Sequence, residues 1–161
     1  MKVRARYLPL LAVLLLVGCR GPLDVPAALA VTDVTSGWFD AGLDNLGRHK
    51  IVPSVTFRVA NTTPEIVRHL QINAIFRRQG EEEEWGNAYV RVVGTEGIEA
   101  GEASQVLRLD SGRGYTGEQT HPEMLQHRDF VDVTIDLFVK HRGDQWALLD
   151  SVDINRRILA Q

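Results

Sequence analysis

The sequence predicts one all-β domain, an antiparallel two-sheet sandwich of about seven short strands. Three observations lead there. Apolar residues recur at every second position in several separate runs, turn-forming residues break those runs at intervals of about ten residues, and no long amphipathic helix pattern intervenes. The 161 residues include a single cysteine, so no disulfide within one chain can staple the fold and a packed core must hold it.

The first strand is expected from Val31 to Phe39, with Trp38 and Phe39 at its end. In the second, Val55, Phe57 and Val59 alternate with Thr56, Arg58 and Ala60, the period of a strand with one buried face. Asn61-Thr62-Thr63-Pro64 stops it with turn chemistry. The third strand buries Leu70, Ile72, Ala74 and Phe76, turns Gln71, Asn73 and Arg77 outward, and ends at Gln79-Gly80. Glu81 to Glu84 then form the charged tip of a hairpin, which also discourages edge-to-edge pairing. The fourth sets Ala88, Val90 and Val92 against Tyr89, Arg91 and Val93 until Gly94, Gly97 and Gly101 break it, and a weaker fifth holds Val106, Leu107 and Leu109. Asp110 to Asp129 is the longest irregular segment, with one short helical turn expected at His121 to Gln126 because Pro122 suits a first turn. The clearest alternation runs from Phe130 to Lys140, with Val131, Val133, Ile135, Leu137 and Val139 on one face. His141-Arg142-Gly143-Asp144 supplies a hairpin turn, and Gln145 to Ile154 returns with Trp146, Leu148, Val152 and Ile154 as its expected inward set.

The chain opens Met1-Lys2-Val3-Arg4-Ala5-Arg6 and then runs apolar from Tyr7 to Val17, the layout of an export signal. That run is about a dozen residues, whereas a membrane-spanning helix needs about 20. It closes on Leu16-Val17-Gly18-Cys19, which resembles the lipobox of bacterial lipoproteins: a large aliphatic residue, small residues before the cut, then the cysteine whose thiol receives a diacylglyceryl group. The resemblance implies a signal peptide over residues 1–18 and an anchor of two or more acyl chains on Cys19, which holds a protein stably on a bilayer. Residues 19–30, with Gly21, Pro22 and Pro26, are expected to form an extended tether, and 31–161 the sandwich. Arg20, in place of aspartate after the cysteine, points toward the outer rather than the inner membrane, with the domain facing the periplasm.

Loss of the signal removes Lys2, Arg4 and Arg6 and leaves 15 basic against 21 acidic side chains, a formal charge of −6. That balance argues against nucleic acid or anionic lipid headgroups as partners, since both need a concentrated basic surface.

The stretch Val55 to Arg78, VTFRVANTTPEIVRHLQINAIFRR, resembles the start of the immunoglobulin-like modules of bacterial envelope lipoproteins such as the FxLYD family. In these a strand ends in an asparagine-containing turn and a second strand follows with a glycine turn behind it. Glu99-Ala100-Gly101-Glu102 is similar to the acidic turn before their next strand, while Ala74-Ile75-Phe76-Arg77 stands where they carry Leu-Tyr-Asp. The resemblance implies an immunoglobulin-like sandwich and carries over no catalytic residues.

Several motifs suggest chemistry. Gly112-Arg113-Gly114-Tyr115-Thr116-Gly117 fits G-x-G-x-x-G, but the dinucleotide fingerprint needs a strand before it and a helix after it in a parallel unit, and Thr120-His121-Pro122 follows instead. His121, Glu123 and His127 are near one another without the H-E-x-x-H spacing that places two zinc ligands on one helical face, so solvated loop residues are expected and no metal. Asn61-Thr62-Thr63 matches a glycosylation sequon and reads better as a turn. No serine sits in a G-x-S-x-G elbow and no carboxylate pair stands out, so a non-enzyme without cofactor is expected. Trp38, Trp85 and Trp146 suit core or rim positions better than a ligand surface.

The reading that follows is an envelope lipoprotein whose sandwich is an interaction or accessory module. The alternative is a small-ligand or metal-binding lipoprotein using the 110–129 loop, where a long loop on a rigid scaffold favours binding. Expected partners are the lipid bilayer, through acylated Cys19, and another envelope protein. Trp38, Phe39, Tyr115 and Met124 are the apolar residues expected to be exposed to such a partner.

Overall fold

A computed structural model describes residues 23–160; the signal segment, Cys19 and the first tether residues lie outside them. In chain order the elements are α1 (Val25–Ala28), β1 (Leu29–Leu43), β2 (His49–Asn61), β3 (Leu70–Arg78), β4 (Gly86–Val93), β5 (Leu107–Asp110), β6 (Tyr115–Gly117), α2 (His121–Gln126), β7 (Val133–His141) and β8 (Ala147–Asp153). They form an antiparallel sandwich, one sheet ordered β1-β2-β5 with β6 also on β2, the other β4-β3-β7-β8. This is the immunoglobulin-like arrangement in which the chain crosses between sheets after β2, β4 and β6. The long amphipathic helix that the sequence lacks is also missing among the described residues.

Alternation builds the core. Val55, Phe57 and Val59 of β2 face Leu70, Ile72, Ala74 and Phe76 of β3 and Val133, Ile135, Leu137 and Val139 of β7, every one of them buried. Proline in a central strand is normally excluded because it cannot donate to a ladder. Pro53 is accommodated because β2's far neighbour changes there: β5 pairs with Ser54 to Phe57, β6 with His49 to Ile51, and only the Pro53 carbonyl is used, accepting from Ser111 N. The glycine run that mimics a nucleotide fingerprint is this β5–β6 bend. A Cβ on Gly114 would collide with the Ile51 carbonyl oxygen, so glycine is required for close approach to β2.

The two ends of the sandwich are closed differently. At one end α1 packs against β7 and β8, burying Val25 and Ala28, with Leu29 buried just after it. Residues 23–30 were expected as tether; their apolar members instead belong to the packed domain, because burial outweighs the extended preference of their composition. Asn61, 1% exposed, ties this end together. Its side-chain amide donates to the carbonyls of Glu65, Ile98 and Glu99, and its oxygen accepts from Thr63 N. The sequon is thus a structural turn whose amide is fully engaged. At the other end, residues after β8 run parallel to β1: Trp38 N donates to Arg157 O at 2.8 Å and Leu159 N to Trp38 O at 2.8 Å. Gly37 permits this, since a Cβ there would lie 2.7 Å from Leu159 Cδ2.

Candidate functional site

The four residues expected to be exposed are placed differently. Trp38 is fully buried and Met124 is buried, which corrects the expectation for both; Phe39 and Tyr115 are half-buried. The reason is an aromatic cluster at the end closed by the C-terminal segment. Trp38 of β1 meets Phe130 edge-on at 4.8 Å and Tyr115 of β6 at 5.5 Å, and Tyr115 lies 5.2 Å from Trp85. Arg156 covers Phe130 at 4.9 Å while pairing with Asp132 at 2.6 Å. Phe39 is covered on its own face by Arg108 at 3.8 Å. The indole N–H of Trp38 is buried here without a hydrogen-bond partner.

Loop 110–129 is largely structured. The short helical turn is α2, at the predicted residues, and Met124 and Leu125 are its buried side. Glu123 accepts hydrogen bonds from Thr120 Oγ1 at 2.8 Å and Thr120 N at 2.9 Å, bonds that hold its carboxyl below the usual glutamate value. It is therefore a helix cap. His121 turns away from it, with Nε2 3.5 Å from Asp40 Oδ1 and its ring edge-on to His49 at 4.9 Å, while His127 is largely exposed beside Asp129. Among the described residues no group of three or more His, Cys, Asp or Glu is arranged to hold a metal ion. A cleft of about 240 Å³ lies beneath the loop, lined by Tyr115, Thr116, Gln119, Met124, His127, Asp129 and Phe130. Ligand pockets usually occupy about 300–1,000 Å³, so this one is small.

Of the exposed large apolar side chains, Val34, Leu43, Leu46 and Val106 lie on or beside the first sheet, and the others, Tyr89, Trp146 and Leu148, make an exposed apolar surface on the outer face of β4-β3-β7-β8. Register sets it. Tyr89, Asn73 and Phe138 lie side by side across β4, β3 and β7, and Leu148 of β8 continues the row. The adjacent row holds Arg91, Gln71 and Lys140, with Trp146 beside it, its ring 5.8 Å from Lys140 Nζ. Tyr89 is 56% exposed, Leu148 49% and Trp146 41%. Trp146 and Leu148 were expected inward. They point out because the pairing slips between Leu137 and Phe138: Leu137 opposes Asp150 but Phe138 opposes Leu148. Leu149 is the extra residue of a bulge, and one inserted residue moves those before it to the other face. Only a polar residue on β8 where the pattern wanted an apolar one, Asp150, signalled this in the sequence.

Compared with family models, with curated proteins and with solved structures, the chain matches none. No acid occurs on the two rows. Asp136, in the row beyond, is ion-paired with Arg77. Glu96, flanking Arg91, accepts from the backbone N–H of Gly94 at 3.0 Å, and that bond, with the nearby Arg91 charge, lowers its carboxyl from the ordinary value.

Proposed function

We propose that this protein is a lipid-anchored envelope lipoprotein, held through Cys19, whose sandwich acts as a non-enzymatic interaction module. The observation that carries the interaction half is the pair of rows on the second sheet, where Tyr89, Leu148 and Trp146 stay exposed while the inward residues of β3 and β7 are buried and those of β4 and β8 are largely half-buried against the core. Trp146 and Leu148 share one strand face, with half-buried Phe138 opposite Leu148 and Tyr89 two strands further on, and grouped exposed apolar side chains on a folded domain mark a contact surface. The lipobox-like Leu16-Val17-Gly18-Cys19 and the likeness of Val55 to Arg78 to envelope modules support the anchoring half. The loop also borders a cleft of about 580 Å³, but its two arginines are engaged, Arg156 by Asp132 and Arg157 by the Ser36 carbonyl, so the ligand-binding alternative has less support than the exposed face gives this one.

Mass spectrometry of the protein purified from membranes of the producing cell tests the anchor. The expected result is an N-terminal peptide beginning at Cys19 and carrying acyl chains, with Cys19→Ala released into the soluble fraction. An unmodified Cys19 in a membrane-free protein overturns the reading.

A further inference from the structure

We infer that the anchor-proximal half of this outer face rests on the phospholipid headgroup region of the membrane that holds Cys19, an inference that depends on Cys19 being the anchor. Reach comes first. Four residues from Cys19 to Leu23 span at most about 14 Å when fully extended. The described chain starts at the end where α1 meets β7 and β8, the end at which Asn61, His141 and Ala147 also lie. The β7–β8 hairpin, bearing Lys140, Arg142 and Trp146, therefore belongs to the tethered end. The opposite end is out of reach: β2 spans 13 residues, so the β1–β2 hairpin tip, with Leu46 76% exposed, stands roughly 40 Å away along the strands.

Chemistry comes second. Trp and Tyr favour the membrane–water interface, where an apolar ring sits among acyl carbons and a polar edge stays hydrated. Trp146, Tyr89 and Leu148 supply the apolar contacts. Lys140 and Arg91 on the same rows, and exposed Arg142 at the hairpin turn, supply cations for lipid phosphates. The net acidity that argued against anionic headgroups is a sum over the whole chain, and the register revises that expectation, because headgroups respond to charge within about a Debye length, some 10 Å. Within the rows the charge is basic only; the flanking acids Glu96, which accepts from Gly94 N beside Arg91, and Asp144, 3.1 Å from His141, offset part of it and leave Lys140 and Arg142 as the cations of the hairpin. A short tether also makes contact with the local bilayer effectively intramolecular, so weak interfacial affinity suffices.

The test uses the full, acylated protein in vesicles of phosphatidylcholine and phosphatidylglycerol, free of other proteins. Acylated Cys19 has no free thiol, so an environment-sensitive fluorophore can be placed at Leu148→Cys or, as the distant control, at Leu46→Cys. The expected result is a blue-shifted label at position 148, shielded several-fold from an aqueous quencher relative to position 46. Arg91→Glu with Lys140→Glu should abolish that shielding. In the unsubstituted protein, lipids brominated along the acyl chain should quench tryptophan emission, and Trp146→Phe should remove the quenching. Equal aqueous quenching at both positions with Cys19 acylated overturns the inference and leaves the anchored-module reading standing. Shielding seen only in native membranes, or rising with protein density in the vesicles, assigns the face to a protein partner or a second copy and also overturns it. An unacylated Cys19 removes both.

Discussion

The domain has two aromatic regions, and the same residue types have opposite fates in them. Around Trp38, the rings of Trp85, Tyr115 and Phe130 pack with centroids 4.8–6.5 Å from it, and Tyr115 also meets Trp85 and Phe130, beside α2 and the C-terminal segment. On the outer face of the second sheet, Tyr89 and Trp146 lie open with Phe138 half-buried between them. Aromatic content alone does not separate the two. What separates them is whether a further layer of chain covers the ring: the first region has a short helix, a parallel strap on β1 and Arg156 over it, whereas the second is the outside of a sheet that nothing in the described chain crosses.

Truncating a covered ring should cost most. Trp38→Ala is expected to lose about 3–5 kcal/mol in chemical denaturation, because it empties the centre of the cluster. A loss under about 1 kcal/mol would mean that the cluster is not part of the stable core. An intermediate effect concerns the cover itself. Glu123 has a depressed carboxyl value in the fold, so its contribution is present above the ordinary glutamate range and is lost as pH falls through the lowered folded value. Glu123→Gln should lower the melting temperature near neutral pH and converge with the unsubstituted protein in acid; a constant difference at all pH values would place its role elsewhere. The smallest effect is expected on the open face, where Trp146→Ala should stay within about 0.5 kcal/mol of the parent. A large loss there would show that Trp146 is packed in solution and would erase the contrast.

Much of this was legible in the chain. The alternation in β2, β3 and β7 identified their inward residues correctly, and Pro122 marked α2, because such patterns depend on neighbours a few positions away. The exposed partner residues were not legible. Trp38 was expected at the surface because its end-of-strand position carries no trace of the segment that returns more than 110 residues later to pair with it. Trp146 and Leu148 were expected inside because a bulge leaves the local alternation nearly intact while reversing what it points at.

By itself the sequence determined the fold class and seven of the eight strands, β6 alone falling in a segment that reads as irregular, since periodicity and turn chemistry are local properties. Only the tertiary structure decided which aromatics are covered and which lie open, and that Arg91, Lys140 and Trp146 share one face. Those outcomes depend on strand register and sheet order, which bring together side chains from β4, β7 and the β7–β8 hairpin that no local pattern connects.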